Sequence, residues 1–150
     1  MTHVKAISIL LVDDNPDHVE LTLNGLKCDG LINKINVACD GEEALDYLYN
    51  RGKFKDRKKY PKPELILLDI KLPKIDGMEV LHIIKKDPLF KSIPVIILTT
   101  SDNQKDVEAA YYEGANSFIS KPVSFKEFVE KLCEIKLYWA VTNVLPGDEE

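Results

Sequence analysis

Cysteine is scarce and poorly spaced for chemistry: Cys28, Cys39 and Cys133 are the only three in 150 residues, and no Cys-x-x-Cys pair occurs. Scattered thiols in odd number suggest neither a disulfide framework nor a zinc site. The expectation is buried, reduced cysteines in a cytoplasmic protein. Long apolar runs are also missing. No stretch approaches the ~18 uninterrupted apolar residues of a membrane span. The first apolar run lacks the length and small-residue cleavage site of a signal peptide. Positive charge is in deficit, with 20 Lys and Arg against 25 Asp and Glu for a net charge of −5. That balance argues against general nucleic-acid binding, which draws on many phosphate-neutralising bases. His3, His18 and His82 have no carboxylate or cysteine at ligand spacing and read as surface residues, His18 near the rim of any site built on the acids just before it.

What is present suits one globular domain. The chain is 45% hydrophobic and 30% charged, enough to fill a core at a single-domain length. Short apolar runs alternate with amphipathic segments throughout. Strands are expected at about Ala6–Val12, Lys34–Ala38, Leu65–Asp69, Val95–Thr99 and Ser117–Ser120. Helix starts are marked by Asn15 with Pro16 in the first turn, by Asp40, and by the capping boxes Ser101/Gln104 and Ser124/Glu127. The second helix is expected to carry Ala44, Leu45, Leu48 and Tyr49 on one face, and a third, Gly77 to Lys86, to bury Val80, Leu81 and Ile84. Strict alternation of strand and helix implies an α/β fold, a five-stranded parallel sheet covered on both faces.

Such sheets bind ligands outside the carboxyl ends of their strands. Those ends carry Asp13 and Asp14, Asp69, Thr99 and, after the last strand, Lys121. Carboxylates that converge repel one another unless a cation sits between them. Mg²⁺, held by hard oxygen ligands and water, meets that need. A lysine aimed at the same place suits a phosphoryl group better than a metal alone.

In this order and spacing, Asp13-Asp14, Leu-Leu-Asp69, Thr99 and Lys121-Pro122 resemble the receiver domain of two-component response regulators. Pro73, Gly77, Gly114-Ala115 and Phe118 add to the match, which spans roughly residues 6 to 135. The resemblance implies a doubly wound, flavodoxin-like sheet of strand order 2-1-3-4-5. It also implies a phosphoacceptor signalling protein rather than an enzyme, with Asp69 taking a phosphoryl group from the phosphohistidine of a sensor histidine kinase. Asp14 and Asp69 would ligate Mg²⁺ directly, Asp13 through water and Lys71 by its carbonyl. Lys121 and Thr99 would each meet a phosphoryl oxygen, and Phe118 would turn inward as Thr99 closes. The helix 4–strand 5–helix 5 face would be the output surface, and the Lys121-Pro122 bond would be cis. Phe118 lacks the hydroxyl of the tyrosine found in many relatives.

Two segments exceed a minimal receiver. Residues 51–63 form a long basic connection, read as a solvated loop, with contact to an acidic kinase surface or partner as the sharper reading. The last helix carries the stripes Phe125, Phe128, Leu132, Ile135, Trp139 and Val129, Cys133, Leu137, Val141, of which one is expected to support a homodimer. Together they resemble the stand-alone regulators that partner phytochrome-type kinases. Since only seven residues follow Asn143, residues 1–150 read as a single receiver domain without an output domain. Output would be contact with a downstream protein or passage of the phosphoryl group to a histidine phosphotransfer protein, with no nucleic acid and no membrane involved. A haloacid dehalogenase-type phosphatase would need an acid where Lys71 stands. A flavin carrier would need a glycine- and hydroxyl-rich loop in place of Asp13-Asp14-Asn15-Pro16-Asp17.

Overall fold

A computed structural model of the chain describes residues 8–25, 34–100 and 103–120. Five strands, β1 (Ser8–Val12), β2 (Lys34–Ala38), β3 (Leu65–Leu68), β4 (Val95–Thr99) and β5 (Ser117–Ser120), form one sheet in the order β2-β1-β3-β4-β5. Each adjacent pair is parallel. The connections hold helices α1 (Pro16–Gly25), α2 (Gly41–Leu48), α3 (Gly77–Lys86) and α4 (Gln104–Tyr112). This is the doubly wound architecture and strand order expected.

Alternation along the strands divides the core in two. Leu10, Val12, Ile66, Leu68, Val95 and Ile97 pack with the buried faces of α2 and α3 and with Ala110 of α4. Ile9, Leu11, Leu65, Leu67, Ile96, Leu98 and Ile119 form the other layer, against Val19, Leu21 and Leu23 of α1. Strands buried on both faces need near-continuous apolar sequence, as seen in β3 and in Val95–Leu98.

Most boundaries fall where the sequence put them, and the departures have local causes. Helix α4 starts at Gln104 with Asn103 as its cap, whose side chain accepts from the Lys105 amide, two residues later than the start expected at Ser101, which lies outside the described residues. Tyr47, not Tyr49, is the buried tyrosine of α2. The helix ends at Leu48, and Tyr49, in a non-helical cap conformation, is 36% exposed. Its ring instead packs edge-on against Phe90, and its hydroxyl bonds Asp87. Cys39 is exposed rather than buried, because the chain leaves the sheet one residue earlier, at Ala38. The final helix with its Ser124/Glu127 box and both apolar stripes, the Lys121-Pro122 bond, Cys28 and Cys133, and His3 lie outside the described residues.

Candidate functional site

The carboxyl ends of β1 and β3 are neighbours because Val12 pairs with Leu68. One residue further, the Asp13 amide donates to the Ala38 carbonyl at 3.1 Å and the Asp69 amide to the Val12 carbonyl at 3.0 Å. The ladder thus continues for one rung past the strands and seats both acids at the sheet edge. Asp13 is 1% exposed and Asp69 8%, whereas Asp14 is exposed. Oxygens of the three carboxylates come within 4.8 Å of one another.

Backbone amides hold two of these carboxylates in place. Asp13 accepts from the Asn15 N–H at 3.0 Å, and Asp69 from the Lys71 N–H at 3.1 Å. Asn15 then caps α1, accepting from the amides of Asp17 and His18, so His18 stands in the first turn of that helix. A cluster of hard anionic oxygens, partly buried and fixed by backbone donors, fits a divalent cation such as Mg²⁺ and offers nothing to a soft one.

The segment between β3 and α3 closes over Asp69. Gly77 approaches so near that a Cβ there would lie 2.2 Å from the Asp69 carbonyl oxygen and 2.6 Å from Ile70 Cα. Its amide donates to the Ile70 carbonyl at 2.8 Å. The far side of the segment is pinned to α2. The Gly41 amide reaches the Pro73 carbonyl, and Lys74, at φ 68°, sets its ammonium 3.6 Å from Asp40 and 3.3 Å from Glu42. Those two carboxylates hold the Lys74 ammonium above its usual range. The sequence flagged Gly77 but gave no sign of the Lys74 contacts, which join residues 32 to 34 positions apart.

Thr99 ends β4, next to β3 in the sheet, and is fully buried; Thr100 beside it is exposed. Phe118 lies in β5, half-buried against the core layer that contains Ile97. The structure therefore gathers Asp13, Asp14 and Asp69 at one point, with Lys71 bonded to Asp69 and Thr99 on the adjoining strand. Lys121, which follows directly on β5, is outside the described residues.

The sequence matches the model of the response regulator receiver domain over residues 9–133. The chain belongs to that family. Among relatives, the probable methanogenesis regulatory protein FilR2 of Methanothrix harundinacea is 40% identical over 93% of this chain and 87% of its own length. The response regulator Rcp1 of Synechocystis is 38% identical, over 93% and 92%. Among solved structures, the phosphorylated cyanobacterial phytochrome response regulator RcpA superposes with a TM-score of 0.86 at 35% identity, covering 94% of this chain and 99% of that one. The Mn²⁺-bound form of Rcp1 gives 0.85 at 37% identity, over the same shares. This receiver is thus a response regulator of the Rcp1 type, similar to phytochrome-associated regulators. Among the described residues no helix is long and apolar enough to cross a membrane.

Proposed function

We propose that this receiver is a phosphorylation-driven switch in which Asp69 is the phosphoacceptor. The observation that carries the reading is the meeting of Asp13, Asp14 and Asp69 at adjoining strand ends, with buried Thr99 on the next strand. Asp69 attacks the phosphorus of a phosphohistidine on a sensor histidine kinase, a phytochrome-type kinase by similarity to the RcpA and Rcp1 regulators. An aspartyl O–P bond forms, the P–N bond breaks, and the imidazole keeps the electron pair. Phosphoryl transfer of this kind needs alignment and charge neutralisation more than covalent assistance.

Asp14, Asp69 and the Lys71 carbonyl would hold Mg²⁺, with Asp13 acting through water. When bound, the cation offsets the negative charge shared by carboxylate and phosphoryl oxygens. Lys121 supplies a further positive charge, and the Thr99 hydroxyl donates to a phosphoryl oxygen. Phe118 follows Thr99 inward, changing the surface of α4, β5 and the helix expected after it. Output is contact with a downstream protein, and the chain acts in the cytoplasm as a single receiver domain that self-associates through its last helix. Asp69 holds the group until water removes it, so the protein is a signalling component rather than a turnover enzyme.

Incubation with acetyl phosphate, with and without Mg²⁺, followed by intact mass measurement, tests the reading. The expected result is a Mg²⁺-dependent gain of one phosphoryl group that Asp69→Asn abolishes. Labelling that persists in Asp69→Asn, or that ignores Mg²⁺, would rule it out.

A further inference from the structure

Residues 51–63 hold seven of the 20 basic residues and one of the 25 acids, leaving 13 bases against 24 acids elsewhere. All seven bases are exposed, yet the segment is packed rather than merely solvated. Phe54, 3% exposed, meets Tyr47 and Tyr60 edge-on at centroid distances of 5.2 and 5.0 Å. The Tyr47 hydroxyl donates to the Pro61 carbonyl at 2.8 Å, and Asn50 to the Phe54 carbonyl at 2.9 Å. Asp56, the one acid, spends its carboxylate on the amides of Lys58 and Lys59. The ammonium groups of Lys53 and Lys59 lie over the rings of Phe54 and Tyr60, 5.3 and 5.4 Å from their centroids, and both lysines remain exposed.

Two of the bases are answered by α2: Arg51 by Asp46 at 3.3 Å and Lys53 by Glu43 at 2.9 Å. Lys55, Arg57, Lys58 and Lys59 have no ion pair among the described residues, and Lys34 joins them by donating to the Lys58 carbonyl at 3.1 Å. This ridge sits at the amino-terminal edge of the sheet, since Lys34 opens β2 and Glu64, bonded to Ser8, precedes β3. Asp13 and Asp69 lie at the opposite edge, about a strand length or ~15 Å away.

We propose that Lys55, Arg57, Lys58, Lys59 and Lys34 form a docking ridge for an acidic segment of a partner protein, occupied independently of the aspartate cluster. Because the backbone that carries these five bases is packed, binding carboxylates orders side chains but not main chain, and their like charge is complementary to an acidic segment. The strongly acidic remainder of the chain repels an extended polyanion such as nucleic acid, whereas a short acidic segment meets only the ridge. Membrane attachment is disfavoured because Tyr47 and Phe54 are buried and Tyr60 is half-buried, which leaves no fully exposed apolar side chain in this group for insertion.

The test titrates the full chain into a fluorescein-labelled oligoglutamate peptide at low and physiological ionic strength. Parallel arms use single-stranded oligothymidylate and phosphatidylserine vesicles. The ridge variant is Lys55→Glu/Arg57→Glu/Lys58→Glu/Lys59→Glu; Lys91→Glu/Lys105→Glu, exposed elsewhere, is the control. Peptide binding that weakens with salt, survives in the control and falls about tenfold or more in the ridge variant is expected. Labelling by acetyl phosphate should be the same in all three proteins. No peptide binding by the unmodified chain, equal binding by the ridge variant, tighter ridge-dependent binding of oligothymidylate or vesicles, or loss of labelling in a folded ridge variant would each overturn the proposal.

Discussion

Thr99 and Phe118 share one face of the β4–β5 ladder, one pleat apart, because Thr99 pairs with Ser120 and Ile97 with Phe118. Thr99 is fully buried and Phe118 half-buried, and in the proposed switch an inward movement of the threonine would free space that the phenyl ring could take. Close packing makes such a pair respond in discrete steps rather than by gradual deformation.

Thr99→Ala should separate modification from response. Asp69 would still gain its phosphoryl group, but hydrogen exchange across β5 and α4 would no longer change on phosphorylation. The stability cost should be near that of one buried hydrogen bond, about 1 kcal/mol. A β5 exchange response of unaltered size in the variant would remove Thr99 from the switch.

Gly77 is fixed by space rather than by backbone angle. The atoms that a Cβ would strike belong to the backbone of Asp69 and Ile70, which cannot swing aside like a flexible side chain. Gly77→Ala should therefore displace the segment carrying Lys71, cost about 1–3 kcal/mol, and weaken Mg²⁺ binding in a calorimetric titration. Gly41→Ala meets Ile75 in the same segment, with its oxygen at 1.9 Å, but further along the chain from Asp69. It should cost comparable stability with a smaller loss of Mg²⁺ affinity. The reverse order of the two affinities would show that the approach of Gly77 to Asp69 does not set the metal site.

The strands and the acids at their ends could be read from the sequence because both leave local marks. A run such as Leu65-Ile66-Leu67-Leu68 ending in Asp69 signals burial and then emergence within five residues. The start of α4 was less distinct, since Ser101 and Asn103 are both competent caps two residues apart and only the backbone decides between them. The tether from Lys74 to Asp40 and Glu42 left no mark, because it depends on how two distant segments dock. Phe54 and Tyr60 were hidden differently: each stands among lysines and arginines with no periodicity to expose its buried side, so a packed segment read as a solvated one.

Glu43 links that segment to the end of β2. It accepts from the Cys39 amide at 2.9 Å and pairs with Lys53, and these bonds, the amide first, hold its carboxyl below the ordinary 4.5. A carboxyl depressed in the folded state contributes stability above its unfolded pKa and loses it as pH falls through the folded value. Glu43→Gln keeps an acceptor for the amide but removes the charge. The two proteins should differ by less than about 1 kcal/mol at neutral pH, because the pair is partly exposed. Urea unfolding on either side of pH 4.5 should show that gap closing in acid; a gap that widens there would mean the charge is not stabilising.

Phe54 decides whether the basic segment is a surface or a tether. It is the buried centre of the Tyr47–Phe54–Tyr60 group, and the 3-10 turn Gly52–Phe54 delivers it there. Phe54→Ala should cost about 3 kcal/mol, the low end for a buried phenylalanine, since the site lies at the margin of the core and can partly collapse. Residues 55–62 should then become open to trypsin, which cleaves after the lysines and arginine concentrated there. Labelling of Asp69 should persist, because the segment lies at the other edge of the sheet. Phe54→Leu, which refills most of the volume, should restore resistance to cleavage. If Phe54→Ala remained as resistant as the parent chain, the order of the basic ridge would not depend on aromatic packing, and the hydrogen bonds from Tyr47 and Asn50 would have to maintain it alone.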